Sequence, residues 1–225
     1  MRPTDLWRYE VRRAGWAALL TPPVATAALL LLALLDGGDD TDRTLLAALE
    51  MVLPLAAGVG AASLVGRDPA VELQLTVPTS YRSTLLRRLA VTLGWAALLA
   101  VLVAGILLAT GGMPQERGAL SGQLVWLAPT VWLGGLGFLA GAAFRSPAAA
   151  GGLVTTWWIV QQVFPGLLQG RDWSRTLYLF ETTRGAVPEG WAANRLTLVA
   201  TALVLAGLGW ALLGRAERLL REEAE

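Results

Sequence analysis

Cysteine, histidine and lysine are all missing from this sequence. Without cysteine there is no disulfide and no thiol chemistry. Without histidine the commonest general base and the commonest metal ligand are gone together, and with both residue types absent the usual zinc ligands are too. A chain with no lysine cannot contain a G-x-x-x-x-G-K-[ST] phosphate loop. Charge of one sign is also lacking: 18 basic residues, all arginine, stand against 17 acidic ones, a net charge of +1 that argues against a nucleic-acid partner.

Apolar sequence is what is abundant. It makes up 55% of the 225 residues, and the mean hydropathy is +0.53. The apolar residues run in continuous blocks. About 20 such residues cross the roughly 30 Å hydrocarbon core as a helix, and only helix pairs every backbone N–H and C=O within one segment in lipid. A β-barrel would alternate polar and apolar residues, which these blocks do not. The expected fold is an all-α integral membrane protein, a single transmembrane domain over 1–225. Its six predicted spans are about 14–35, 44–65, 89–110, 121–143, 148–168 and 196–213, with Pro129 as a kink in the fourth. The block from Ala14 to Leu35 exceeds the 7–15 residues of a cleaved signal's apolar core and reads as an uncleaved first span. Before it, Leu6, Trp7, Tyr9 and Val11 are interleaved with Arg2, Arg8, Arg12 and Arg13. This start reads as a short amphipathic helix in the membrane surface or as a plain basic anchor, and both stay open.

Arginine placement gives orientation. With six spans both termini share a side, and that side holds twelve arginines: Arg2, Arg8, Arg12, Arg13, Arg67, Arg82, Arg87, Arg88, Arg145, Arg215, Arg218 and Arg221. The opposite side holds six: Arg43, Arg117, Arg171, Arg175, Arg184 and Arg195. The positive-inside rule then puts both termini in the cytoplasm.

Between spans 2 and 3 lies Gly66-Arg67-Asp68-Pro69-Ala70-Val71-Glu72-Leu73-Gln74-Leu75-Thr76-Val77-Pro78-Thr79-Ser80. Asp68 before Pro69 is a helix start, with a side-chain cap followed by a residue that needs no N–H. Val77 precedes Pro78 and leans away from helix. Residues 69–76 therefore read as a two-turn helix with Val71 and Leu75 on one face.

On these residues the chain resembles the permease subunits of ABC type-2 transporters, the six-span membrane subunits of bacterial ABC exporters. Gly66-Arg67-Asp68 followed by Glu72-Leu73-x-Leu75-x-x-Pro78-Thr79-Ser80 is similar to that family's charged helix and Leu-x-x-x-Pro-Ser region. A long outer loop between spans 5 and 6 matches the place where those permeases carry small re-entrant helices. The resemblance implies an exporter of a drug, lipid or peptide-like substrate in the bacterial plasma membrane. It implies that the helix at 69–76 is a coupling helix, docking through Asp68, Val71, Glu72, Leu73 and Leu75 on a separate ATP-binding subunit. ATP and magnesium would sit on that partner, with no cofactor and no metal on this chain. Six spans are few for enclosing a pathway, so a second copy or a paralogue would complete it, in contact with membrane lipid.

Glu50 is the one carboxylate inside a span, where a mid-bilayer charge costs roughly 2.5–3.5 kcal/mol. It lies about six residues, or roughly 9 Å, below the outer end of span 2. It reads as a pathway residue or as a carboxyl paired with another span, with Gln161 or Gln162 as the partner. Trp157, Trp158, Gln161 and Gln162 cluster in span 5, as pathway lining or as interhelical hydrogen bonding. Gly137 and Gly141 form a G-x-x-x-G, read as close helix packing. In the loop 169–195, Trp173, Leu177, Tyr178, Leu179 and Phe180 read as short helices resting in the outer interface. An intramembrane enzyme would need a nucleophile, base or metal that this composition does not supply, so no catalytic residue is expected. The alternative to a permease is a membrane substrate-binding or assembly subunit without its own translocation pathway.

Overall fold

A computed structural model describes residues 16–35, 41–66, 81–110, 119–184 and 190–222. All regular structure among these residues is helical. The basic start and the predicted coupling helix at 69–76 lie outside the described residues.

Helix α1 is Trp16–Leu35. Next come α2 (Thr41–Ala47), a π-helical turn (Ala48–Val52) and α3 (Leu53–Gly66), which together form one continuous rod. Then follow α4 (Tyr81–Thr110), α5 (Ala119–Phe144) and α6 (Pro147–Val163). A connector carries three short helices, α7 (Pro165–Gln169), α8 (Asp172–Arg175) and α9 (Glu181–Arg184). The long α10 (Trp191–Glu222) comes last.

Among the described residues, four helical segments are long and apolar enough to cross a membrane: Thr41–Val65, Arg82–Thr110, Gly122–Phe144 and Trp191–Gly214. These are the second, third, fourth and sixth predicted spans. In the first, the apolar helix Leu20–Leu32 is shorter, and α1 contains Pro22 and Pro23. The fifth is corrected at its end. It does not run to 168 but stops at Val163, because Phe164 precedes Pro165 and leaves helical geometry at φ −123°, ψ 57°. The sixth starts at Trp191 rather than 196, which moves Arg195 from the predicted loop into the helix. Helix α5 runs unbroken through Pro129.

The helices alternate in direction. Asp42 at the start of α2 accepts a hydrogen bond from Thr110 at the end of α4 (2.9 Å). At the other end of the bundle the Arg82 guanidinium lies 4.3 Å from the centre of the Trp210 ring, joining the start of α4 to the C-terminal part of α10.

Small residues decide which helices are inner. A Cβ on Gly137 would lie 2.1 Å from the Gly58 carbonyl oxygen, one on Gly141 would lie 3.0 Å from that of Ala62, and one on Gly135 would lie 2.9 Å from that of Ala202. So α5 touches α3 backbone to backbone through its G-x-x-x-G and meets α10 on another face, the close approach that small residues permit in membranes. In the 18-residue apolar stretches of Gly122–Phe144 and Thr41–Val65, 72% and 67% is buried, against 33% and 22% in those of Arg82–Thr110 and Trp191–Gly214. The first two are therefore inner helices. The outer two present Leu98, Val101, Leu102, Ile106, Leu203, Val204 and Leu208 outward, surfaces matched to hydrocarbon rather than water.

The turn between α5 and α6 is tight. Arg145 takes a left-handed conformation (φ 52°), and its N–H closes on the Gly141 carbonyl (2.9 Å). Ser146 then caps α6, accepting from the Ala149 N–H, with Pro147 as the first helical residue.

Candidate functional site

The site begins with a proline. Pro54 has no N–H to offer the Glu50 carbonyl four residues before it, and in an α-helix its ring would press on that carbonyl. The chain widens by one residue here. The Leu53 N–H bonds the Ala48 carbonyl in the i→i−5 pattern, and Glu50 sits in the middle of the π-turn. One carbonyl of the widened turn, that of Met51, accepts the indole N–H of Trp158 on α6 (3.0 Å).

The π-turn aims Glu50 at the connector. Its carboxylate, fully buried, accepts the backbone N–H of Thr182 (2.8 Å, Oε1) and of Thr183 (2.7 Å, Oε2) at the start of α9. Arg195 on α10, also fully buried, donates from Nη2 to Oε1. Its Nη2 also reaches the Thr182 hydroxyl (2.7 Å), and its Nη1 reaches the Leu179 carbonyl (2.9 Å). Trp191, one turn earlier, donates to the same Thr182 hydroxyl (3.0 Å) and places its ring 5.5 Å from the guanidinium. Charge-assisted bonds of this kind are roughly twice as strong as neutral ones.

Two amides hold the rest of the connector. Gln161 on α6 accepts the Leu179 N–H (2.8 Å). Asn194 on α10 donates to the carbonyls of Arg175 and Tyr178, both at 2.9 Å. Arg184 donates to the Gln162 carbonyl (3.2 Å), and its own carbonyl accepts from Gln169 (3.2 Å). Backbone polar groups brought into an apolar bundle need partners, and here three helices supply them from Glu50, Gln161, Asn194 and Arg195.

The connector's apolar residues divide. Trp173 is exposed, whereas Tyr178, Leu179 and Phe180 are fully buried. This corrects the interface reading for those three, which pack with Trp132, Val154 and Leu198. Phe180 meets Trp158 and Tyr178 edge to face, at 6.0 and 5.7 Å. The Tyr178 phenol, outside the spanning helices, is pushed up to about 12 by burial and so stays a neutral hydroxyl.

Comparison with family models, with curated proteins and with solved structures returns no match.

Of the residues singled out from sequence, Glu50, Trp158 and Gln161 converge on the connector. Trp157 turns to Trp132 and stacks on it at 5.9 Å. Gln162 contributes its backbone carbonyl to Arg184. The partner of Glu50 is Arg195 and the connector backbone. Asp68, Val71, Glu72, Leu73 and Leu75 lie outside the described residues. Sequence reasoning missed Pro54, Thr182, Asn194 and Arg195. The spacing Glu50-x-x-x-Pro54 was a usable signal, because a proline four residues on deprives that carbonyl of its helical donor. A second signal was Trp191, which can begin the last helix earlier than the apolar run does.

Proposed function

We propose that this chain is the permease subunit of an ATP-driven ABC type-2 exporter, a transport subunit with no catalytic residue of its own. The observation that carries the reading is the folded connector between the fifth and sixth helices. Its three short helices are drawn back against the bundle, where permeases of that family carry small re-entrant helices. The apolar outer faces of α4 and α10 agree with a multi-pass protein surrounded by lipid. With Arg195 buried in α10 and Arg88 buried in α4, five arginines remain on the connector's side against eleven opposite. That bias, still about twofold, supports cytoplasmic termini in a bacterial plasma membrane. ATP and magnesium would belong to a separate ATP-binding subunit docked on residues 69–76, and a second copy or a paralogue would complete the pathway for a drug, lipid or peptide-like substrate.

A second reading is a membrane substrate-binding or assembly subunit without a pathway of its own. It is favoured by the fact that the Glu50 carboxylate is already occupied by Arg195 and two N–H groups, which leaves it poorly placed to meet a substrate. Leu75→Asp separates the two readings. It places a charge on the face that would fill a groove of the ATPase, where a fully buried apolar side chain is worth roughly 1.5–3 kcal/mol. In the permease the variant inserts normally but loses co-purification with the ATPase, or hydrolyses ATP without transport. Full assembly and coupled transport by Leu75→Asp and by Val71→Asp/Leu75→Asp would reduce the segment to a connector and remove the coupling argument.

A further inference from the structure

The π-turn at Ala48–Val52 joins two rods that differ in how firmly they are held. Below it, α3 is fixed: its Gly58 and Ala62 carbonyls lie against Gly137 and Gly141 of α5 with no room for a methyl group. Above it, α2 is a seven-residue helix whose hold includes one buried side chain, Leu45, and the Asp42–Thr110 hydrogen bond, both of which its rotation has to break. If the π-turn closes to α-helical register, one rod must turn relative to the other by one residue, about 100° and about 1.5 Å of rise. With α3 fixed, the half that turns is α2, and Glu50 turns with it.

We propose that this turn is a conformational switch: Pro54 holds it wide, and while it is wide Glu50 latches the Glu181–Arg184 end of the connector into the bundle. Closing the turn carries the carboxylate away from Arg195 and from the Thr182 and Thr183 N–H groups. Asn194 still holds the carbonyls of Arg175 and Tyr178, so the connector hinges open beyond Tyr178, where the Leu179 N–H leaves Gln161, rather than detaching whole. Trp158 sits on the same turn, its indole donating to the Met51 carbonyl. The device links a rotation of α2 to the exposure of Leu179 and Phe180. It stands apart from the transport reading, since it requires neither a partner subunit nor a substrate.

The absence of cysteine makes the test clean. A single Leu179→Cys reporter, buried in the closed connector, is labelled by a small water-soluble methanethiosulfonate reagent in detergent and in vesicles. A second reporter, Ala61→Cys, is buried among α3, α4, α5 and α10 away from the latch. Pro54→Ala restores an N–H for the Glu50 carbonyl and permits α register. Pro54→Val does the same with a side chain nearer proline in size, and serves if the alanine variant does not fold. Expected is a labelling rate at position 179 at least tenfold above the reporter alone, both for the Pro54 variant and for Glu50→Gln. The two combined should give no more than the larger single effect, because they act on one step, and position 61 should stay within twofold of its parent. A monodisperse Pro54 variant that leaves position 179 within twofold of its parent overturns the switch. So does an equal rise at both reporters, which is general loosening.

Discussion

Two seams meet on the rod formed by α2, the π-turn and α3, and they hold by opposite means. Toward α5 the contact is backbone against backbone, with glycine and alanine where any side chain would intrude. Toward the connector it is a buried carboxylate, a buried guanidinium and a row of amides. In lipid neither seam gains from the hydrophobic effect, because acyl chains are as apolar as leucine. Dispersion and shape hold the first, and hydrogen bonds and charge hold the second. The first tolerates no added volume. The second tolerates volume but no unmatched charge. That difference lets one rod be anchored along α3 and releasable at its π-turn.

The sharpest way to break the comparison is to remove one charge. Glu50→Leu leaves Arg195 buried without its counter-charge, and loss of one partner of a buried pair costs about 3–5 kcal/mol. The double variant Glu50→Leu/Arg195→Met removes both charges and should recover most of that loss. Thermal unfolding in detergent, followed by tryptophan fluorescence, reads both. A double variant as unstable as the single one would mean that the seam depends on its hydrogen bonds to Thr182, Thr183 and Leu179 more than on charge balance.

A smaller effect is expected on the packed seam. Gly137→Ala puts a methyl group 2.1 Å from the Gly58 carbonyl oxygen, so α3 and α5 must move apart, at about 1–3 kcal/mol. Gly105→Ala on α4 is the control. A Cβ there meets nothing within 4 Å, and removing a helix-interior glycine should be neutral or gain about 0.5–1 kcal/mol. Equal behaviour of the two variants in the same melting assay would deny that α3 is anchored.

The smallest effect belongs to the turn that joins the seams' far ends. Arg145 holds a left-handed backbone, which glycine adopts without a Cβ penalty. Arg145→Gly should raise stability by about 0.5 kcal/mol, less than the relief itself because glycine also frees the unfolded chain. A drop in melting temperature would show that the arginine side chain, and not its backbone, matters at this corner.

Much of this architecture could be read from residue order, and the misses have physical causes. Continuous apolar blocks gave the helices, and Gly137 with Gly141 gave a close helix pair, because both signals lie within one segment. Arg195 escaped because hydropathy starts the last helix where the apolar run starts. Arg195 looks like loop until a partner 145 positions away is known, and Asn194 until the carbonyls of Arg175 and Tyr178 are. Tyr178 and Phe180 were read at the interface because aromatic residues favour it; burial won here because Gln161, Asn194 and Arg195 satisfy the backbone those rings bring with them. Glu50 was recognised as unusual, but its environment depends on Pro54, whose effect is one of backbone register rather than polarity.

The 145 positions between Glu50 and Arg195 also set an order of manufacture. At about 5–20 residues per second, roughly 7–30 s pass between the synthesis of the acid and that of its base. Through that interval α2 to α6 leave the ribosome carrying a carboxylate with no counter-charge, which must stay in touch with water or with the insertion machinery. Synthesis of α10 is therefore the step that neutralises the pair, and the quality-control proteases of the membrane have a defined window in which to act. Damage at Arg195 should accordingly appear as a short-lived nascent chain, cleared before maturity, rather than as a mature protein that fails at its task.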